Sequence, residues 1–211
     1  MPGDRADAAV AQRGERIALG AAARFGLAGV KVARATADDA AAIASIYAPY
    51  VQASVVSFET EAPDEAEMRR RIEAGGDLYP WLVARDDDGP VIGYAYACAF
   101  RARPAYRFTV ETTVYVADGA HRRGIGTSLY DALLPLLEAQ GFAQAIAAIT
   151  LPNEASVRLH ERLGFRQIGT YERVGFKFRE WRSVGLWQRG LAPLSTRPEE
   201  PKPASLAWKP Q

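Results

Sequence analysis

Residues Thr109 to Gln140 spell out a strand, a glycine loop and a helix in immediate succession, and that unit restricts the chain to folds that build sites at strand ends. Thr109–Val116 alternates: Val110, Val114 and Val116 point one way, and Thr109, Glu111, Thr113 and Tyr115 the other. His121-Arg122-Arg123-Gly124-Ile125-Gly126 follows, and a helical pattern begins at about Gly126. Glycines at 124 and 126 let the backbone come close to a ligand. The free N–H groups of the new helix and its dipole favour an anion there, and Arg122 and Arg123 add positive charge. The loop fits a pyrophosphate cradle; a tight turn with a solvated basic edge fits it as well. A Walker loop is excluded because no Gly-Lys-Ser/Thr follows, and the third glycine of a Rossmann fingerprint is missing.

The flanking periodicities supply the other elements. Val30–Arg34 reads as a first strand, and Thr36-Ala37-Asp38-Asp39 as an acidic capping box for a helix whose buried face holds Ile43, Ile46 and Tyr47. Pro49 is expected to limit that helix and Pro63 to begin a second one, which carries acids first and arginines after. Trp81–Arg85 and Val91–Phe100 form a hairpin, with Tyr94, Tyr96, Cys98 and Phe100 on one face of the second strand. A strand over Ala143–Thr150, a helix over Asn153–Leu163 closed by Gly164, and strands over Phe165–Tyr171 and Phe176–Trp187 complete the series. The order β-α-α-β-β-β-α-β-α-β-β predicts an α/β (α+β) domain, a mixed sheet covered by helices.

Both ends differ from this core. Residues 1–29 are rich in Ala, Gly and Arg and lack the apolar run of a signal peptide; they are expected to form a poorly ordered leader, with at most a frayed helix over Arg16–Leu27. Residues 191–211 carry Pro193, Pro198, Pro201, Pro203 and Pro210 and read as an extended tail. The domain proper is thus expected over 30–190. With 26 basic and 25 acidic residues, the net charge of +1 gives no electrostatic reason for nucleic acid or an anionic membrane as partner. The longest apolar stretch, near Val91 to Phe100, is about half the length needed to span a bilayer. One cysteine, Cys98, allows no intrachain disulfide, and no Cys/His cluster suggests a metal site; a cytoplasmic location fits.

The loop at 121–126 resembles the acetyl-CoA loop of the GCN5-related N-acetyltransferases, Arg/Gln-x-x-Gly-x-Gly/Ala, with His121 at the first position as a departure. Asn153, Ala155 and Gly164-Phe165 resemble the distal part of that family's motif, in which many relatives place a tyrosine where this chain has His160. Tyr79–Ala84, Arg101–Tyr106, Thr109–Val116, Leu159-His160-Glu161 and Val184–Arg189 are similar to the phosphinothricin N-acetyltransferase branch, which also contains enzymes for methionine sulfoximine and sulfone. The resemblance covers roughly Val30 to Leu191. It implies a central sheet splayed between its two middle strands, acetyl-CoA as co-substrate without a metal, a small amino-acid acceptor and a homodimer, with Tyr130 at a place that can reach a partner's site. It further implies that the backbone of Val114, Tyr115 and Val116 holds pantetheine, that Asn153 holds it from the other side, and that Arg122, Arg123, Gly124, Ile125, Gly126 and Thr127 hold the pyrophosphate.

Attack of an amine on a thioester needs a base, because an α-amino acid enters mostly as its ammonium. Glu111, a carboxylate set in an apolar strand, is the candidate for base or ammonium partner; a structural ion pair is the alternative. His160 is either a proton relay or acid for the thiolate, or a satisfied packing histidine. Arg101 and Arg103 suit the carboxylate and phosphinate of an acidic substrate, or else are solvated loop residues. Phe58 and Tyr106 are candidate pocket walls, or else plain core, and Thr112 and Thr113 are candidate substrate contacts. A non-catalytic acetyl-CoA sensor would need the cradle but neither Glu111 nor the arginines.

Overall fold

The alternating segments pair into one seven-stranded sheet in the order β1-β2-β3-β4-β5-β7-β6. The computed structural model describes residues 29–87 and 89–208, so the leader and the helix expected at Arg16–Leu27 lie outside the described residues. The strands are β1 (Val30–Arg34), β2 (Trp81–Asp86), β3 (Val91–Ala99), β4 (Thr109–Val116), β5 (Gln144–Leu151), β6 (Arg166–Lys177) and β7 (Glu180–Gly190). Every neighbouring pair is antiparallel except β4 and β5, which run parallel. The helices are α1 (Ala40–Ala53), α2 (Glu65–Gly75), α3 (Ile125–Gln140), α4 (Glu154–Arg162) and the single turn α5 (Ala204–Ala207).

Each sheet face has its own apolar core. On one, Leu129, Leu133 and Leu137 of α3 meet Ala95, Ala97 and Val110. On the other, Ile43, Tyr47, Met68 and Ile72 of α1 and α2 meet Trp81, Val83 and Tyr94. The small alanines of β3 therefore face α3 and its large aromatics face α1, as the alternation predicts.

Three boundaries differ from expectation. Helix α1 continues through Pro49 to Ala53, because Pro49 and Ser45, whose carbonyl loses its helical donor, both lie on the exposed face where water can serve. Burial of Tyr47 and Val51 on the other side favours the extra turn. Helix α2 begins at Glu65, not Pro63, because the Asp64 side chain caps it by accepting from the Glu67 amide at 2.8 Å. The last hairpin turns at Phe178-Arg179, with φ of 49° and 65°, and not near residues 172–175. There Arg173 (φ 50°) instead marks an irregularity in the β6–β7 register between Tyr171 and Gly175.

The proline-rich segment after Gly190 lies against α3. The Lys202 amide donates to the Gln140 carbonyl at 2.7 Å, Gln140 Nε2 donates to the Lys202 carbonyl at 2.8 Å, and Ala204 is fully buried. Ala204→Asp puts an unpaired carboxylate into that contact. It is expected to release the strap at a cost of about 1–3 kcal/mol, roughly 2–4 °C in Tm per kcal/mol at this size. Thermal unfolding checks this, and an unchanged Tm would mean the strap adds nothing to stability.

Candidate active site

β4 and β5 pair only through Thr109, Val110 and Glu111, opposite Gln144, Ala145 and Ile146. Beyond Glu111 the two strands part, while β4 stays paired with β3 as far as Val116. The Ala117 amide donates to the Ile92 carbonyl of β3 at 2.9 Å, so by alternation the peptide groups of Val114 and Val116 face the opening where β5 has left. The expected splay is present. Its floor is made of backbone groups without a strand partner.

Glu111 stands at this fork, across from Cys98 of β3. Its carboxylate makes no hydrogen bond among the described residues. Burial raises its pKa above the ordinary carboxylate value, and the Arg101 charge pulls it part of the way back. The same burial, with Glu111 adding to it, pushes the Cys98 thiol up to about 11, which suits an unreactive thiol. Tyr96, raised to about 12 by burial, lies on the same face and stacks on Trp81 at 4.1 Å.

The candidate substrate residues separate into two groups. Arg101 lies within electrostatic range of Glu111 and donates to the Tyr171 hydroxyl of β6 at 3.2 Å. Phe58 is 37% exposed, and its ring lies on Gly175 of the same strand. Thr113 shares the Glu111 face and interacts with Tyr96. Arg103, in contrast, opens an exposed turn over Pro104–Tyr106, and no side-chain contact joins it to Glu111. Tyr106 packs edge-on against Phe100 at 5.6 Å. Thr112 is turned to the α3 side and buried, its hydroxyl 3.3 Å from that of Tyr130, so the expected contact with substrate is corrected: strand alternation aims it away from Glu111.

Two further expectations are altered by burial. Tyr130 is fully buried and cannot reach a partner's site. His160, 3% exposed, is held between α3 and α4: its Nδ1 donates to the Ser156 carbonyl at 2.8 Å, which leaves Nε2 to accept from the Tyr130 hydroxyl at 3.0 Å. Burial lowers its pKa, so the ring is neutral and both nitrogens are occupied. These bonds tie α4 to α3, the arrangement expected of a packing histidine.

The loop after β4 is built for close approach. Gly124 caps α3 in the left-handed region (φ 79°), and Arg122 also has a positive φ of 62°. Arg123 is exposed and paired with Asp86 at 2.7 Å, while the Ile125 side chain is buried in the core. At Gly126 a Cβ would lie 3.0 Å from Leu159 of α4 and 3.9 Å from Val114, so β4, α3 and α4 converge there. Asn153 caps α4 by accepting from the Ser156 amide at 3.1 Å, which leaves its amide NH₂ free of that bond. Tyr50 donates to the Val116 carbonyl at 2.6 Å and holds the mouth of the opening. Tyr115, on the other face, packs against Tyr47 and Tyr50 at 4.9 Å each. The backbone floor and the glycine-capped helix end fit an elongated ligand with amide groups along its arm and an anionic end.

Two cavities lie away from this cleft. One, of about 730 Å³, is lined by Arg162, Arg166 and Arg189, and one of about 660 Å³ by Asp38, Arg85 and Asp118. The sequence reading missed Tyr171, Gly175 and Lys177 of β6. The only available signal was a lysine inside an alternating strand, Val174-Gly175-Phe176-Lys177.

Comparison with known proteins adds to the geometry. A family model described as an acetyltransferase (GNAT) domain matches residues 32–183. A phosphinothricin N-acetyltransferase of Streptomyces viridochromogenes is 46% identical over 173 residues, 82% of this chain and 94% of the relative. A methionine sulfoximine/methionine sulfone acetyltransferase of Pseudomonas aeruginosa is 42% identical over 120 residues, 57% of this chain and 70% of the relative. The solved structure of a phosphinothricin acetyltransferase from Sinorhizobium meliloti in complex with acetyl-CoA superposes with a TM-score of 0.78 at 40% identity, covering 82% of this chain and 94% of that one.

Proposed function

The chain belongs to the GNAT acetyltransferase family, and from that premise we propose that it moves the acetyl group of acetyl-CoA to the α-amino group of phosphinothricin or a similar acidic amino-acid analogue. The observation that carries this is the carboxylate of Glu111 at the strand fork, half-buried, free of hydrogen bonds and accompanied by Arg101. A sensor of acetyl-CoA would have no use for either group.

Acetyl-CoA, when bound, supplies an activated acyl carbon and a thiolate leaving group. The peptide groups of Val114 and Val116 would hold its pantetheine amides as an added strand, with the free side-chain NH₂ of Asn153 on the far side. The N–H groups from Arg122 to Thr127 would hold the pyrophosphate. Glu111 takes a proton from the substrate ammonium, and burial, by raising its pKa, makes it a stronger base than an exposed carboxylate. The guanidinium of Arg101 orients the substrate's acidic end, and Phe58 and Thr113 wall the pocket. His160 and Tyr130 serve by fixing the α3–α4 side of the wedge.

A homodimer belongs to the same proposal. Ile168, Tyr171, Val174, Phe176, Phe178 and Trp181 of the last hairpin are 45–61% exposed, and β6 is a sheet edge; a second copy would cover both. Cytoplasmic location and a resistance role are also proposed. The former is supported by the lone unpaired Cys98. Among the described residues no helix is long and apolar enough to cross a membrane.

The test is acetyl-CoA consumption with phosphinothricin, methionine sulfoximine, methionine sulfone and ordinary amino acids. Phosphinothricin should give the highest kcat/KM; a preference for the sulfoximine would move the chain to the other side of its branch. Equal turnover of ordinary amino acids would defeat the acidic-analogue assignment.

Gly126→Val tests the cofactor side. A valine must displace Leu159 and narrow the wedge, so KM for acetyl-CoA should rise while KM for the amino acid stays put. Unchanged acetyl-CoA binding would mean that the loop is only a turn.

A further inference from the structure

Lys177 is a buried lysine that no step above uses. It is 6% exposed, and its Nζ donates to the Val51 carbonyl at 2.6 Å and the Ser57 carbonyl at 2.7 Å. Burial lowers its pKa and the Glu59 charge opposes that, so the ammonium is held by hydrogen bonds and a nearby carboxylate. Val51 lies in the last turn of α1, where carbonyls lack helical donors and a cation is favoured. Ser57 is the residue before Phe58. The segment between them is held at other points too. Thr150 of β5 donates to the Val56 carbonyl at 3.3 Å, and the Tyr47 hydroxyl lies 2.6 Å from that of Ser57. Tyr47 also donates to Glu59 at 2.9 Å, and Arg71 pairs with Glu59 at 2.7 Å.

Two residues before Lys177, Gly175 receives the Phe58 ring. A Cβ at 175 would overlap ring carbons of Phe58, yet the backbone of Gly175 is not in the left-handed region. The glycine is thus required by the neighbour and not by its own conformation. One strand therefore carries both a donor that fixes the backbone beside Phe58 and a flat seat for its ring.

We propose that Lys177 and Gly175 are positioning residues of the amino-acid pocket: β6 sets the place of the Phe58 wall from behind, Lys177 through the carbonyls of Val51 and Ser57 and Gly175 through contact with the ring. This rests on Phe58 lining the amino-acid pocket, as put forward above. It assigns part of the acceptor specificity to a strand whose side chains need not touch the substrate.

Gly175→Ala is the cleanest probe, because alanine suits the local backbone and only the ring must move. It should raise KM for the amino-acid substrate by about 10- to 100-fold, the scale of a pocket wall shifted by about an ångström, with KM for acetyl-CoA unchanged. Lys177→Met, which keeps the length and removes the donors, should act in the same direction. The decisive measurement is a double-mutant cycle with Phe58→Ala. Once the ring is gone Gly175→Ala should add nothing, so the double variant should match Phe58→Ala alone. Additive losses, or equal rises in both KM values, would overturn the positioning role and leave only a packing contact. If Phe58→Ala itself leaves amino-acid KM unchanged, the pocket assignment fails and takes this inference with it. Circular dichroism melting of Gly175→Ala keeps a folding defect separate from a kinetic one.

Discussion

Glu111→Gln is expected to lower kcat/KM by about 10²–10⁴-fold near neutral pH, the usual cost of losing a general base. The change keeps the shape of the side chain and removes only its capacity to take a proton. The pH profile gives the sharper signature. Glu111 works as a base only when ionised, and burial raises its pKa, so activity of the parent should fall with decreasing pH around a value above the ordinary carboxylate range. The variant should lack that acid limb and approach the parent at high pH, where free amine is abundant. Stability should move the other way. Because the folded state binds this proton more tightly than the unfolded chain does, the charged carboxylate costs stability above its unfolded pKa, and glutamine removes that cost. A variant as active as its parent at neutral pH would transfer the role to water.

Arg101→Ala is expected to reduce kcat/KM for the acidic amino acid by roughly 10–150-fold, the equivalent of about 1.5–3 kcal/mol for hydrogen bonds to a charged group. KM for acetyl-CoA should not change. The same substitution removes the charge that holds the Glu111 pKa down, so the acid limb of the profile should shift to still higher pH. Arg103→Ala should do much less. The sequence ranks the two arginines in the opposite order by proximity along the chain, but Arg101 is the one within range of Glu111 and against Tyr171. Full activity of Arg101→Ala on the best amino acid would remove the main physical support for an acidic substrate.

The parts of the molecule legible in the sequence are those fixed by local chemistry. Alternation in Thr109–Val116 and Val91–Ala99 gave the right faces, and Gly164 marked a helix end with a positive φ of 84°. What escaped depended on distant neighbours. Whether Pro49 stops a helix depends on whether the freed Ser45 carbonyl meets water, which is a property of the packed face. The turn at Phe178-Arg179 uses two positive-φ residues without glycine or asparagine, so its usual marker is missing. In the candidate site, the glycine loop ahead of α3 and the strand face that carries Glu111 followed from local pattern. The burial of Tyr130 and the seating of Phe58 on Gly175 required strands far apart in sequence to be brought together.

The parting of β4 from β5 bears on how a chain of this kind diversifies. If the thioester's arm lies along the peptide groups of β4, as proposed, every substitution except proline leaves those groups in place, whereas the proposed acceptor pocket is built from side chains on a loop and on β4 and from a wall resting on an edge strand. Mutation can therefore rework the acceptor side one residue at a time while the donor side is inherited intact. A lineage built on such a wedge has a ready route to new amines and a much narrower one to new acyl carriers.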